Sequence, residues 1–468
     1  VLAVLNITKY QLNNSGLTIF TNMNKKVQNT LATESKNSSN FEKTDIDNCA
    51  IVIDNKSGAV LAHYSSLPYE ISRQVGSTLK PIIVYAPAIE NKIITLATPI
   101  VDEKIDFGGY APQNFGDKYY GLTTPREAIK KSMNTVAVKV MSYLGTQKSF
   151  DYAGRFGINL SPEDNNLSLA LGATKNGINP LSLAAAYATL ANAGRKVTPH
   201  YVFAIADKGT KIYSQPVAYD LVVAADTAYL VTDCLVDTAK DGTAKGLSSL
   251  PFEVAAKTGT AQNNSGKNTD ALNVGYTEQG GGHPTKHAAN IWRTMYATPP
   301  TAFEKPQSIV AGSYDTYSTA KDKILTLASK NTPKKYCKTE LFSLSNLPKT
   351  ISTRFENISA PEFSILQKGS NILLSTNFEE IYDYEITRND ALGKKIIKTF
   401  SGAEMQKLHT NSIFPLWDKP ISIGDSISYT VTAILRLDEE STSSSGAIFG
   451  QEQRKSCTKS IFLDLHKY

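Results

Sequence analysis

Apolar and polar positions change rhythm several times along the chain, and each change marks an element. CAIVID (49–54) and AVLAHYS (59–65) are β-rich runs flanking Asn55-Lys56-Ser57-Gly58, a turn sequence, and together predict a hairpin. A helix is expected to begin at Ser77, with LKPIIVYAPAIE (79–90) as its apolar face. Pro81 then falls in the first turn, where a missing N–H does no harm. NPLSLAAAYATLANAGR (179–195) predicts a buried helix capped by Asn179, opened by Pro180 and ended by Gly194. Residues 224–238 form another apolar helical run, and FEVAAKTGTA (252–261) switches to a strand pattern.

Near residue 306 the texture changes. A lysine-rich connector leads into short β-patterned runs separated by turn signals, among them EFSILQKG (362–369), YDYEIT (382–387) and SISYTVTAIL (426–435). That rhythm predicts a β-sandwich, with the serine-rich ESTSSSG (440–446) as a flexible loop. The expected organisation is an interdomain linker region over 1–45, a domain of mixed α/β (α+β) character over 46–305, a connector over 306–335 and an all-β module over 336–468.

Composition narrows the picture. A chain of 468 residues is too long for one compact core, and 41% hydrophobic with 20% charged residues describes a folded protein. The formal charge of +6 allows weak attraction to anionic lipid or wall polymers. No basic run interleaves with aromatics and the cysteines lack zinc spacing, so no nucleic-acid partner is expected. Cys49, Cys234, Cys337 and Cys457 lie far apart; either all four are thiols, or Cys337 and Cys457 pair in an oxidising compartment. His283 and His287 are four apart, but Pro284 and the preceding glycines favour a loop over a metal-binding helix, and no metal is expected. No stretch nears the ~20 apolar residues of a membrane helix. The chain opens on Val1 rather than methionine, so any anchor is expected upstream.

The candidate chemistry begins at RQVGSTLKP (73–81), which sets Ser77 and Lys80 three residues apart. On a helix these share a face, so an amine could activate the hydroxyl as a nucleophile. The pattern alone is cheap: Ser318-Thr319-Ala320-Lys321 and Ser456-Cys457-Thr458-Lys459 repeat it, and a cap serine beside a solvated lysine explains each copy. Two further elements follow in order, Ser132-Met133-Asn134 and Lys257-Thr258-Gly259-Thr260. Each is weak alone, since Ser38-Ser39-Asn40, Ser375-Thr376-Asn377 and Lys56-Ser57-Gly58 look alike. Chemically, Ser132 can relay a proton, Asn134 can hold a substrate amide and Lys257 adds a second positive charge. Thr258 and Thr260 can bind a carboxylate, and Gly259 lets a substrate lie close to the strand edge. The N–H groups of Ser77 and Thr260 are oxyanion-hole candidates.

Ser-x-x-Lys, Ser-x-Asn and Lys-Thr-Gly in this order resemble the motif set of penicillin-binding proteins and serine β-lactamases. The flanks GGYAPQNFGDKYYGLTTPREAIKKSMNTVAVKV (108–140), LSLALGATKNGINPLSLAAAYATLANAG (167–194) and AAKTGTAQ (255–262) resemble the transpeptidase domain of the bifunctional, class A penicillin-binding proteins. YQLNNSGLTIFTNMNKKVQNTL (10–31) is similar to the linker that follows the glycosyltransferase domain in that class, and that domain itself is absent here. The C-terminal module is similar in a general way to fibronectin type III or immunoglobulin-like modules.

The resemblance implies an antiparallel sheet covered by helices and a serine D,D-transpeptidase without cofactor, acting outside the cytoplasmic membrane. Its partners would be peptidoglycan stem peptides ending in D-Ala-D-Ala, and β-lactams that acylate Ser77. It implies Ser77, Lys80, Ser132 and Lys257 as catalytic residues, with Asn134, Thr258, Gly259 and Thr260 binding substrate. The alternatives are a D,D-carboxypeptidase or β-lactam hydrolase, and a non-catalytic wall scaffold or sensor. The C-terminal module would space the catalytic domain or bind wall or divisome partners. Tyr110, Pro112 and Asn114 match a family pattern near the groove, as substrate contacts or as loop structure. Glu163 and Asn166 resemble a deacylating pair but have the wrong spacing, so a surface loop is expected and the β-lactam adduct should be long-lived. Leu272 stands where relatives often carry tryptophan, and GGGHPTKHAANIW (280–292) follows where a further strand is usual.

Overall fold

The computed structural model describes residues 1–40, 46–68, 71–216, 218–262, 268–277, 285–296, 299–356, 360–368, 371–376, 381–390, 393–401, 416–418, 426–436 and 452–462. The ESTSSSG stretch and His283 lie outside them. The chain divides into two compact units, Val1–Gly312 with Glu340–Leu347, and Ser313–Thr339 with Pro348–Tyr468. These limits differ from the expected ones at both ends of the first unit. Helix α1 (Lys25–Lys36) buries Val27 and Leu31, four apart on one face, against Ala50, Val52 and Ile291. The stretch read as linker is therefore partly core. Glu340–Leu347 likewise returns to the first unit after the chain has entered the second.

The expected hairpin forms from β1 (Cys49–Ile53) and β2 (Val60–Ser65), antiparallel with Ala50 opposite Tyr64. Its turn closes because the Asp54 carboxylate accepts the N–H groups of Lys56 and Ser57 at 3.2 and 2.7 Å.

Residues 76–90 are helical but not uniform. A 3-10 turn (Gly76–Leu79) passes into a π turn (Pro81–Tyr85) and then a short α-helix (Ala86–Glu90). Pro81 and Pro87 lack the N–H that regular i→i−4 pairing needs. The Ser77 carbonyl therefore accepts from Lys80 in place of Pro81, and within the π turn the Pro81 carbonyl accepts from Ala86 rather than Tyr85. Every residue of Pro81–Tyr85 is buried, which suits a segment apolar on all sides.

Four helices and a hairpin complete the frame around that segment. Helix α2 (Pro125–Lys131) opens on the Thr124 cap, and α3 (Asn134–Leu144) follows almost directly. Helix α4 (Pro180–Ala191) begins as expected, the Asn179 side chain accepting from Leu181 N–H, and α5 (Ala225–Asp241) extends the second apolar run. Leu79, Ile82, Val136, Val140, Tyr187 and Val231 bring these helices into one core. β3 (Ala255–Gln262) pairs antiparallel with β4 (Asn268–Tyr276), setting Gly259 opposite Leu272, which packs partly buried against that core. After residues 278–284, which lie outside the described set, helix α6 (Thr285–Met295) carries His287. The antiparallel character is as expected, although among the described residues of this unit the ladders are strand pairs and one three-stranded sheet (Thr18–Thr21, Val202–Asp207 and Thr210–Ser214) rather than one broad sheet.

In the second unit the described strands form a three-stranded and a four-stranded antiparallel sheet. The first contains Phe363–Lys368, Asn371–Thr376 and Leu416–Asp418; the second contains Asp383–Asp390, Gly393–Phe400, Ser426–Arg436 and Glu452–Phe462. Phe363 and Ile365 of one sheet share an apolar cluster with Tyr384, Ile386 and Tyr429 of the other. Cys337 and Cys457 are not bridged.

Candidate active site

The 3-10 turn that carries Ser77 is held from several sides. The Tyr187 hydroxyl of α4 donates to the Thr78 carbonyl at 2.7 Å, and Thr78 Oγ1 donates back to the Val75 carbonyl at 2.8 Å. Just upstream, Arg73 exchanges backbone hydrogen bonds with Ile178, and its guanidinium meets Asp270 of β4 at 2.6 Å. Val75, not Ser77, is the residue before the turn, and it contributes no side-chain cap. Ser77 is thus released from capping, and its hydroxyl has no hydrogen-bond partner among the described residues.

Ser132 ends α2 in the left-handed region, at φ 58 and ψ 38. Glycine is the usual residue there, and another side chain costs roughly 1 kcal/mol. The Lys80 amine, fully buried, reaches this loop. It donates to the Ser132 carbonyl at 2.9 Å, the Asn134 side-chain oxygen at 2.6 Å and the Met133 carbonyl at 3.3 Å, and lies 3.5 Å from Ser132 Oγ. Asn134 also donates through Nδ2 to the Gln113 carbonyl at 2.7 Å.

Lys257, equally buried on β3, donates to Ser132 Oγ at 2.8 Å and to the Thr258 carbonyl at 3.0 Å. Two amines from distant parts of the chain therefore converge on one hydroxyl. Thr258 Oγ1 donates to Thr243 Oγ1 at 2.7 Å, while Thr260 is exposed at the strand edge.

Glycines make the close approach of turn and strand possible. A Cβ on Gly259 would be driven into the Val75 carbonyl and would come 2.8 Å from Thr78 Cγ2. One on Gly76, at φ +52, would stand 2.5 Å from the Thr260 carbonyl. The tight neighbour of Gly259 is thus the nucleophile turn itself, a packing demand in addition to any room needed for substrate.

Electrostatics follow from burial. Desolvation lowers the Lys257 amine to about 7, because a charged group loses its hydration there. Lys80 is held well below the ordinary lysine value, first by burial and then by the positive charge of Lys257. A neutral Lys80 has two hydrogens, which the Asn134 and Ser132 oxygens can take, and a lone pair left over.

Other sequence candidates separate cleanly. Ser318 donates to Asp315, the cap of its short helix, at 2.6 Å, and Ser456 lies on a strand bonded to Thr432 at 2.9 Å. On a strand, residues three apart face opposite ways, so Ser456 and Lys459 do not meet. Glu163 is exposed and paired with Lys175 at 2.6 Å, which lowers its carboxyl rather than raising it toward a base. Asn166 caps Ser168. Asn114 is buried, its Oδ1 accepting the Asn134 and Thr135 N–H groups at 2.6 and 3.3 Å, so it serves the loop structure. What the sequence reading missed was the left-handed Ser132 and the glycine contacts; neither leaves a local pattern beyond the glycines themselves.

Residues 48–285 match the family model described as the penicillin binding protein transpeptidase domain. Penicillin-binding protein 1F of Bacillus subtilis (strain 168) is 33% identical over 284 residues, covering 58% of this chain and 39% of that protein. Penicillin-binding protein 1A of Clostridium botulinum (strain Langeland) is 30% identical over 280 residues, covering 53% of this chain and 34% of that protein. The chain thus spans little more than a third of these relatives. In fold it is similar to PonA1 from Mycobacterium tuberculosis in complex with penicillin V, at TM-score 0.59 and 24% identity over 65% of this chain and 93% of that one. Penicillin-binding protein 1A from Haemophilus influenzae gives TM-score 0.55 and 21% identity, over 66% of this chain and 55% of that one.

Proposed function

The chain belongs to the penicillin-binding protein transpeptidase family, and on that premise we propose that it is a serine D,D-transpeptidase, cross-linking peptidoglycan stem peptides through an acyl-enzyme on Ser77. The observation that carries this reading is the meeting of two buried amines, Lys80 and Lys257, at Ser132 Oγ beside the Ser77 turn.

In the proposed sequence Lys80 accepts the Ser77 hydroxyl proton as Oγ attacks the D-Ala-D-Ala carbonyl carbon. The oxyanion forms against the N–H groups of Ser77 and Thr260, each donor contributing on the order of 3 kcal/mol. Asn134 holds the substrate amide, and Thr258 and Thr260 bind its carboxylate. As the C–N bond breaks, Ser132 passes a proton to the departing D-alanine nitrogen and is resupplied through Lys80 and Lys257. An amine of a second stem then attacks the ester and the protons run back. A β-lactam follows the first half, but its opened ring stays attached and blocks the acceptor. Glu163, exposed and tied to Lys175, offers no base for water, so hydrolysis is the weaker reading. The substrate lies outside the cytoplasmic membrane, and the chain is assigned there. No helix among the described residues is long and apolar enough to cross a membrane. All site residues fall in the first unit.

Intact mass over time with a penicillin tests this. A single adduct stable for hours, absent in Ser77→Ala, is expected. Rapid turnover would favour a hydrolase, and an unreactive wild-type chain would favour a scaffold or sensor.

A further inference from the structure

The Ser-x-Asn loop is aimed by a group that the mechanism does not use. Asp102, at the end of the short strand Ile100–Asp102, is 1% exposed and buried beneath the start of α3. No cation is hydrogen-bonded to it among the described residues. Its oxygens accept instead from neutral donors: Asn114 Nδ2 at 2.8 and 2.9 Å, the Tyr120 N–H at 2.9 Å and the Thr135 hydroxyl. A buried carboxylate is tolerated when several donors and a nearby helix N-terminus share its charge.

An amide has one accepting end and one donating end. The carboxylate takes the donating end of Asn114, which forces Oδ1 to face α3. That oxygen then accepts the Asn134 and Thr135 N–H groups. α3 has no cap of its own, because Met133 precedes it. Asn134, fixed in this way, presents its own side-chain oxygen to Lys80 at 2.6 Å.

The geometry points to Asp102 and Asn114 as a positioning pair that sets the orientation of Asn134, and through it the Lys80 amine, for acylation of Ser77. The inference depends on the acyl-enzyme reading above and adds to it residues that touch neither substrate nor the reacting atoms.

Acylation rates of the full chain with a fluorescent penicillin, together with Tm, test it. Asp102→Asn and Asn114→Ala should each slow acylation about tenfold or more, the effect of misaligned hydrogen bonds in a site dry enough to make them count. Asn114→Asp alone, which sets two carboxylates face to face, should be worse. The exchanged pair, Asp102→Asn with Asn114→Asp, places a carboxylate against the helix and an amide behind it. Acylation should recover in part, above either single variant, because the match between positions 102 and 114 is restored while the Lys118 carbonyl, which accepts from Asn114 Nδ2 at 3.0 Å, loses its donor. Val140→Ala, a cavity in the same helix, serves as a stability control and should lower Tm without comparable loss of rate. Asp102→Asn at wild-type rate, a slowing no greater than that of the control at equal Tm, or an exchanged pair no faster than the single variants would each overturn the assignment. An inert wild-type chain would overturn the acyl-enzyme reading first and the catalytic part of this inference with it. A reactive wild type with unaffected variants overturns this inference alone.

Discussion

At the scale of the residue, the site depends on lysines that burial has made reluctant to charge. Burial lowers the Lys257 amine to about 7 in the folded chain, against ~10.4 when unfolded. Between those values the unfolded state binds the extra proton, so this residue's contribution to stability improves as pH rises and is worst below about 7. The maximal penalty is about 5 kcal/mol. Lys257→Met should therefore gain stability over wild type below pH 7, with the gain shrinking toward pH 10, as read from Tm across pH. Acylation by the wild type should likewise weaken as pH drops, because Lys80, held well below the ordinary lysine value by burial and by the charge of Lys257, cannot take the Ser77 proton once it is protonated. Lys80→Ala should cost on the order of 10²–10⁴-fold in acylation rate, the usual worth of a positioned base. A loss of less than tenfold in rapid-mixing kinetics would remove Lys80 from that role.

At the scale of the element, the site exists because a strand can lie against a helical turn. Gly259 and Gly76 supply the space, and each faces a backbone carbonyl that cannot swing away. Gly259→Ala should destabilise the first unit by roughly 1–3 kcal/mol, the cost of overpacking. It should also push Lys257 away from Ser132, so the adduct forms slowly even in the folded fraction; calorimetry with intact mass separates the two effects. Helix starts and hairpins of this kind were legible in the chain. Asn179-Pro180 and the turn Asn55-Lys56-Ser57-Gly58 act as their sequences predict, because capping and turn formation need only near neighbours. The π turn at Pro81–Tyr85 was not foreseen, since it answers two prolines and a wholly buried environment together.

At the scale of the whole molecule, the first unit is completed by chain that comes late. Glu340 makes a double contact with the Arg126 guanidinium, at 3.0 and 2.8 Å to Nε and 2.7 Å to Nη2, beside Asp233 and Asp237 of α5. Arg126 belongs to α2, whose end is Ser132. Glu340→Gln should lower the stability of the first unit by roughly 1–3 kcal/mol, because Arg126 keeps two other carboxylates. Ending the chain at Gly312 should cost more, since it also removes the buried Phe342 from its place. Chemical denaturation followed by tryptophan fluorescence would rank the two.

The order and spacing of Ser77, Ser132 and Lys257, the caps and turns, and the change to β texture near residue 306 were determined by the chain itself, because local geometry and motif chemistry are written in adjacent residues. Tertiary structure alone decided which of three Ser-x-x-Lys copies meets a second amine. It also decided that both lysines lose their hydration and that Asn114 turns inward on Asp102. Those outcomes depend on burial and on contacts between residues far apart in sequence, which only the folded chain brings together.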